Sequence, residues 1–83
     1  MSVTPIPAPQ SVERISAILE RLSADAEEGA SLAELARGIG APKTSLMSLL
    51  AGMVASGHIT KDGDGCYRLG SRMFSLSMRV VGS

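Results

Sequence analysis

Apolar residues recur at helical spacing in three stretches of this chain, separated by helix breakers. Val12, Ile15, Ile18, Leu19 and Leu22 fall on one helical face, which predicts a first helix from Ser11 to about Ser23 with Ser11 as its cap. Leu32, Leu35, Ala36 and Ile39 stand at i, i+3, i+4 and i+7, one apolar side of a second helix. Ser31 and Glu34 have capping-box spacing, in which each side chain satisfies an orphan amide of the first turn, so that helix should begin at Leu32. Gly38 and Gly40 then interrupt the pattern. Pro42 suits the first position of a third helix, because its missing amide would lack an intrahelical partner there in any case. This helix should run over about 42–56, with Leu46, Leu49, Leu50, Met53 and Val54 inward and Gly57 closing it in a left-handed cap.

The pattern then changes from helical to extended. His58 to Lys61 and Cys66 to Leu69 flank Asp62-Gly63-Asp64-Gly65, a composition that favours a tight hairpin turn. Gly70-Ser71 breaks the second strand, and Ser71 can cap a last segment carrying Met73, Phe74, Leu76, Met78, Val80 and Val81. That segment is apolar on too many sides for a simple surface helix. Ahead of the helices, prolines at 5, 7 and 9 keep residues 1–10 out of a helix and predict an extended or disordered arm. Asp25 to Ala30 reads as an acidic loop closed by Gly29. Two short helices around a Gly-containing turn, followed by a hairpin, form a winged helix-turn-helix, a DNA-reading device. The expected fold is mainly α with a small β-hairpin: an arm at 1–10, a three-helix core plus wing at 11–70, and the start of a linker or dimerisation helix at 71–83.

Composition narrows the setting. At 83 residues the chain holds one domain at most, and its core is marginal unless it pairs with a partner. Tyr67 and Phe74 are its only aromatic residues, so the core must be built from close-fitting aliphatic side chains. Cys66, the one cysteine, excludes an internal disulfide and offers no metal-ligand spacing. With no cationic start leading into a long apolar run, this predicts a cytoplasmic protein without a membrane span.

Net charge is zero, yet its distribution is lopsided. Residues 1–36 carry two basic and six acidic side chains, a balance of minus four. Residues 37–83 carry Arg37, Lys43, Lys61, Arg68, Arg72 and Arg79 against Asp62 and Asp64, a balance of plus four. The basic half opens with the proposed reading helix, so one face can meet phosphates while another avoids them.

The reading helix has its own chemistry. With Leu46, Leu50 and Met53 inward, steps of about 100° per residue send Thr44, Ser48, Ala51 and Ala55 outward. Such small side chains can enter a major groove, where hydroxyls bond base edges or phosphates and methyl groups pack on thymine. The amino end, Pro42 to Ser45, aims unpaired amides and the positive helix terminus at phosphates, and Lys43 adds a formal charge. Candidate DNA contacts are therefore Ser31, Lys43, Thr44, Ser45, Met47 and Ser48, with Lys61 and Arg68 on the wing and Arg72 after it. Lys61 and Arg68 also fit a second reading, as charges that protect a strand edge. Arg72 is either a phosphate contact or part of a helix cap.

Taken in order, Ser31-Leu32-Ala33-Glu34-Leu35-Ala36, then Gly38-Ile39-Gly40-Ala41-Pro42-Lys43-Thr44-Ser45, then Leu49-Leu50, Gly57 and Tyr67-Arg68-Leu69-Gly70 resemble the winged-helix domain of IclR-type bacterial transcriptional regulators. The likeness spans about residues 11–78 and includes the Ser11-Val12-Glu13-Arg14 opening. It implies sequence-specific binding of double-stranded DNA; the residues themselves lead to the expectation of no cofactor and no enzymatic activity. It further implies a homodimer built from the first and last helices, through Val12, Ile15, Met73, Phe74 and Met78, although Met73, Phe74 and Met78 could instead be buried within the monomer. The family's effector-binding domain has no counterpart in these residues, so the expectation is an isolated DNA-binding domain or a truncated chain. The chain departs from the family pattern at Ser48, where an arginine is common, and at Gly52, where a bulkier residue is common.

Other chemistries fit poorly. Gly38 to Thr44 lacks the glycines that a phosphate-binding loop needs: Arg37 stands for the first and Pro42 for the one before the lysine. Asp62-Gly63-Asp64 begins like a calcium loop but has no acidic ligand at its twelfth position. His58 has no nearby Cys or His to share a metal, and Cys66 reads as a small half-buried hydrophobe. The second functional class left open is a winged-helix protein-interaction or dimerisation module with little DNA affinity.

Overall fold

A computed structural model describes residues 8–81 and assigns them four helices and a three-stranded antiparallel sheet. The amino-terminal arm therefore falls mostly outside the described residues, as do the last two positions of the expected linker. Helix α1 spans Gln10–Ala24, α2 Leu32–Ile39 and α3 Lys43–Ala55. Strand β1 is the pair Ala30–Ser31, β2 is Ile59–Lys61 and β3 is Cys66–Leu69, and helix α4 closes the order at Ser71–Val81.

Two helix starts differ from the sequence reading. Pro9, not Ser11, is the N-cap of α1: its backbone is extended (φ −55°, ψ 147°) and its carbonyl accepts the Glu13 amide at 3.1 Å. A proline carbonyl can open a helix without side-chain help, so Ser11 already lies inside the first turn. Pro42 is likewise the N-cap of α3 rather than its first residue, and its carbonyl accepts from Leu46 at 3.2 Å. The second helix starts as expected. Ser31 Oγ accepts the Glu34 amide at 3.2 Å, and Glu34 Oε1 accepts the Ser31 amide at 3.1 Å, completing the capping box.

The core lies where α1, α2 and α3 meet the sheet. Ile18, Leu22, Leu35, Leu46, Leu50 and Ile59 are fully buried, and the Tyr67 ring closes the wing side. Val54 is a correction to the expected inward stripe: it stands at the stripe's margin and is 38% exposed, whereas Leu46, Leu50 and Met53 are buried. The acidic loop is also shorter than expected, because Ala30 and Ser31 pair with Tyr67 and Cys66. That short strand makes β3 the centre of the sheet, in the order β1-β3-β2, and ties the wing to the start of α2.

Helix α3 ends in a Schellman arrangement. The His58 amide donates to Met53 O and the Gly57 amide to Val54 O, both at 3.0 Å, while Gly57 takes φ +84°. The same loop anchors the last helix: Gly70 N donates to His58 O at 2.8 Å and Arg72 N to Gly57 O at 3.3 Å. Beyond that anchor α4 buries no residue fully: Met73 is half-buried, and Phe74, Leu76, Met78, Val80 and Val81 stand on the surface. It is a surface helix after all, with an unusually apolar exterior.

Candidate nucleic-acid interface

The turn between α2 and α3 sets the angle at which α3 leaves the core. Gly40 closes α2 in the left-handed conformation, with its amide on Ala36 O at 2.8 Å, and buried Ala41 leads into Pro42. Lys43, Thr44, Met47 and Ser48 are exposed, as are Ala51, Gly52 and Ala55, so one side of α3 faces solvent along its whole length. Ser45 is half-buried. Ser31 is also half-buried, with its hydroxyl oxygen engaged by the Glu34 amide.

The wing supplies two cations with different surroundings. Lys61 is exposed, its ammonium 5.6 Å from the centroid of the Tyr67 ring, and it borders a shallow hollow with Met47, Ala51, Val54 and Tyr67. This hollow joins α3 to the wing. Arg68 is engaged inside the chain: Nε donates to Glu27 O at 2.6 Å, and Nη1 donates to Asp62 Oδ2 in a short ion pair. It thereby fastens the loop before β1 to the hairpin turn. Arg72 is exposed at the start of α4 and shares one helix face with Ser75, Leu76 and Arg79.

Asp62 pins the turn of the wing. Its Oδ1 accepts the amides of Asp64 at 2.9 Å and Cys66 at 3.0 Å, while Oδ2 meets Arg68. The Arg68 guanidinium, followed by the Cys66 amide, holds the Asp62 carboxyl down from 3.8 to about 2. A carboxyl that is more acidic folded than unfolded stabilises the fold fully above pH 3.8 and loses that contribution as the pH falls toward 2. The amide resonances of Asp64 and Cys66 are therefore expected to move together across that window, and Asp62→Asn should flatten the change. An unchanged pH profile in Asp62→Asn would contradict this role.

The candidate dimer residues differ in exposure. Val12 is 52% exposed, Phe74 68% and Met78 57%, whereas Ile15 and Met73 are half-buried. Ile15 packs against the core and lines an apolar hollow of about 450 Å³ with Leu19, Leu49 and Met53. Met73 instead borders a space beside α1 with Leu19 and Leu69. His58 Nδ1 lies 2.6 Å from Ser56 Oγ at the end of α3. Among the described residues no group of His, Cys, Asp or Glu is arranged to hold a metal, and no helix is long and apolar enough to cross a membrane.

Sequence reasoning missed part of this arrangement. The Lys61–Tyr67 contact depends on the hairpin register, which pairs those two residues directly. The exposed apolar line Met47, Ala51, Val54 did carry a signal, since these positions stand at i, i+4 and i+7.

A capped helix, a tight turn, a second helix with one open face and a hairpin beside that face define a winged helix-turn-helix. The model of the IclR helix-turn-helix domain matches residues 11–63, most of the chain, and the protein belongs to that family of DNA-binding transcription regulators. Its structure is similar to an IclR transcriptional regulator from Alicyclobacillus acidocaldarius, at 24% identity and a TM-score of 0.83, over 89% of this chain and 30% of that one. It is also similar to the Agobacterium tumefaciens repressor BlcR, at 28% identity and 0.70, over 81% of this chain and 27% of that one. The chain thus spans about a third or less of these regulators. A looser likeness, with a TM-score of 0.57 at 34% identity, joins 71% of this chain to 17% of an O-methyltransferase from neocarzinostatin biosynthesis. The architecture therefore recurs in an enzyme, and function has to be argued from the site. No curated protein matches the chain significantly.

Proposed function

We propose that the protein binds double-stranded DNA in a sequence-dependent way, with α3 in the major groove and the wing against the adjacent backbone. The observation that carries this reading is the open face of α3, lined by small side chains and flanked by Lys43 at its start and Lys61 on the wing. Lys43 and the amides at the start of α3 are proposed to meet phosphate, and Thr44 and Ser48 to meet base edges, with Ser45 and Ser31 closer to the backbone. Lys61 and Arg72 would extend the phosphate contacts on either side. Arg68 would act by holding the wing in place, given its bonds to Glu27 and Asp62.

Titration with duplex DNA at several salt concentrations tests this. If a dimer neutralises about six phosphates, log affinity should fall against log salt with a slope near −5. Lys43→Ala should weaken all sequences about equally, while Thr44→Ala and Ser48→Ala should change the preference among them. A flat salt response would remove the DNA reading and favour the interaction module.

We further propose a homodimer in which α1 and α4 of two copies meet, with residues 11–70 as the winged core and 71–83 as the start of a linker helix. The support is the exterior of α4, where Phe74 and Met78 are exposed, together with exposed Val12 on α1. Two copies would present two reading helices to two half-sites, making the second contact effectively intramolecular. A chain ending at Gly70 should therefore sediment as monomer and bind DNA more weakly while its core stays folded. If the chain of residues 1–83 is also monomeric at high micromolar concentration, these helices do not suffice for pairing.

A further inference from the structure

Helix α3 reads Lys43-Thr44-Ser45-Leu46-Met47-Ser48-Leu49-Leu50-Ala51-Gly52-Met53-Val54-Ala55, with no Arg, Asn, Gln, Asp or Glu. Those absent side chains are the ones that grip a guanine or adenine with two hydrogen bonds or accept from cytosine. The only side-chain hydrogen-bonding groups on its open face besides Lys43 are the single hydroxyls of Thr44 and Ser48. The rest of that face is apolar: Met47 is 54% exposed and Val54 38%, with Ala51 between them on the same stripe.

This stripe borders the wing. Met47, Ala51 and Val54 line one hollow of about 330 Å³ with Lys61 and Tyr67, and the Lys61 ammonium stands 5.6 Å from the centre of the Tyr67 ring. The hollow therefore has an apolar floor with a cation at its wing side. In the major groove the 5-methyl group of thymine is the apolar feature that base edges present, and aliphatic side chains are its partners. Lysines at Lys43 and Lys61 suit the phosphates that flank such a groove.

We propose that the Met47-Ala51-Val54 stripe reads thymine methyl groups, so that sequence preference rests on apolar contact more than on hydrogen bonds to base edges. This rests on the DNA-binding reading above. Its partner is a thymine-bearing major groove, and Met47 and Val54 are its specificity-determining residues.

The test begins with duplexes selected from a random-sequence pool by the protein. The tightest is resynthesised with deoxyuridine for thymidine, which removes the methyl group but keeps the base pair, and again with 5-bromodeoxyuridine, whose halogen refills that volume. Affinity should drop about fourfold for each contacted methyl lost, from the transfer free energy of one buried carbon. The bromo duplex should recover it. The double variant Met47→Ala/Val54→Ala, which keeps the Ala51 methyl but loses the larger side chains on either side, should lose most of the discrimination between thymidine and deoxyuridine duplexes, with its salt slope unchanged. If the unaltered protein binds both duplexes equally, or if the double variant discriminates as strongly as the unaltered protein, the stripe does not read methyl groups, while DNA binding itself stands. If no duplex is bound at low salt, both readings fall.

Discussion

Gly29→Ala is expected to cost about 3 kcal/mol of stability, a large share of what a domain of this size has to lose. Gly29 has φ +70°, where a side chain is strained, and a Cβ there would overlap the carbonyl oxygen of Tyr67 and stand 2.7 Å from Arg68 Cγ. The first of these neighbours is backbone in the central strand, so it cannot rotate away. Relief requires the segment to draw back from β3, which would break the Ala30–Tyr67 and Ser31–Cys66 pairing and disturb the cap of α2. Gly52→Ala is the internal comparison. It lies in the last turn of α3 with nothing outside the helix's own backbone within 4 Å of its added Cβ, so it should gain up to about 0.8 kcal/mol from helix propensity. Thermal unfolding followed by circular dichroism should give opposite signs for the two. Equal melting temperatures would show that β1 and the approach of Gly29 to Tyr67 contribute little.

The largest functional effect should come from Ser48→Glu. Ser48 is exposed on α3 and makes no contact that holds the core, so a glutamate there leaves the fold intact. In the proposed complex it would place a carboxylate among base-edge acceptors and near phosphates, with no arginine on the helix to offset it. Like-charge contact of this kind costs several kcal/mol, so affinity should fall by roughly 100-fold or more. Ser48→Arg should move affinity the other way. If Ser48→Glu binds as well as the unaltered chain, α3 does not face the DNA.

How much of this was legible in the sequence depends on the range of each interaction. The capping box of α2, the Gly57 cap and the hairpin turn at Asp62 are set by residues within a few positions of one another, and each stands where the residue pattern puts it. Strand β1 was not legible, because two residues carry no periodicity and their partner lies on the far side of α2 and α3. Pro9 as a cap was hidden by Ser11, whose side chain suits that role, because a proline carbonyl can open a helix without leaving a side-chain signature. The charge asymmetry was legible only as a sum. The fold uses Arg68 inside the wing and puts Arg37 on α2 and Arg72 and Arg79 on α4, which leaves Lys43 and Lys61 beside the open face of α3. The apolar exterior of that helix was written in the spacing of Met47, Ala51 and Val54, but spacing alone does not tell an exposed stripe from a buried one.

In the proposed complex α3 and the wing form the DNA-contacting surface. This is tested by following backbone amide resonances of the protein as a short duplex is added at low salt. The largest shifts are expected along residues 43–55 and at Lys61, growing with added DNA and receding with added salt. Shifts confined to α1 and α4, or none across a titration to excess duplex, would contradict it.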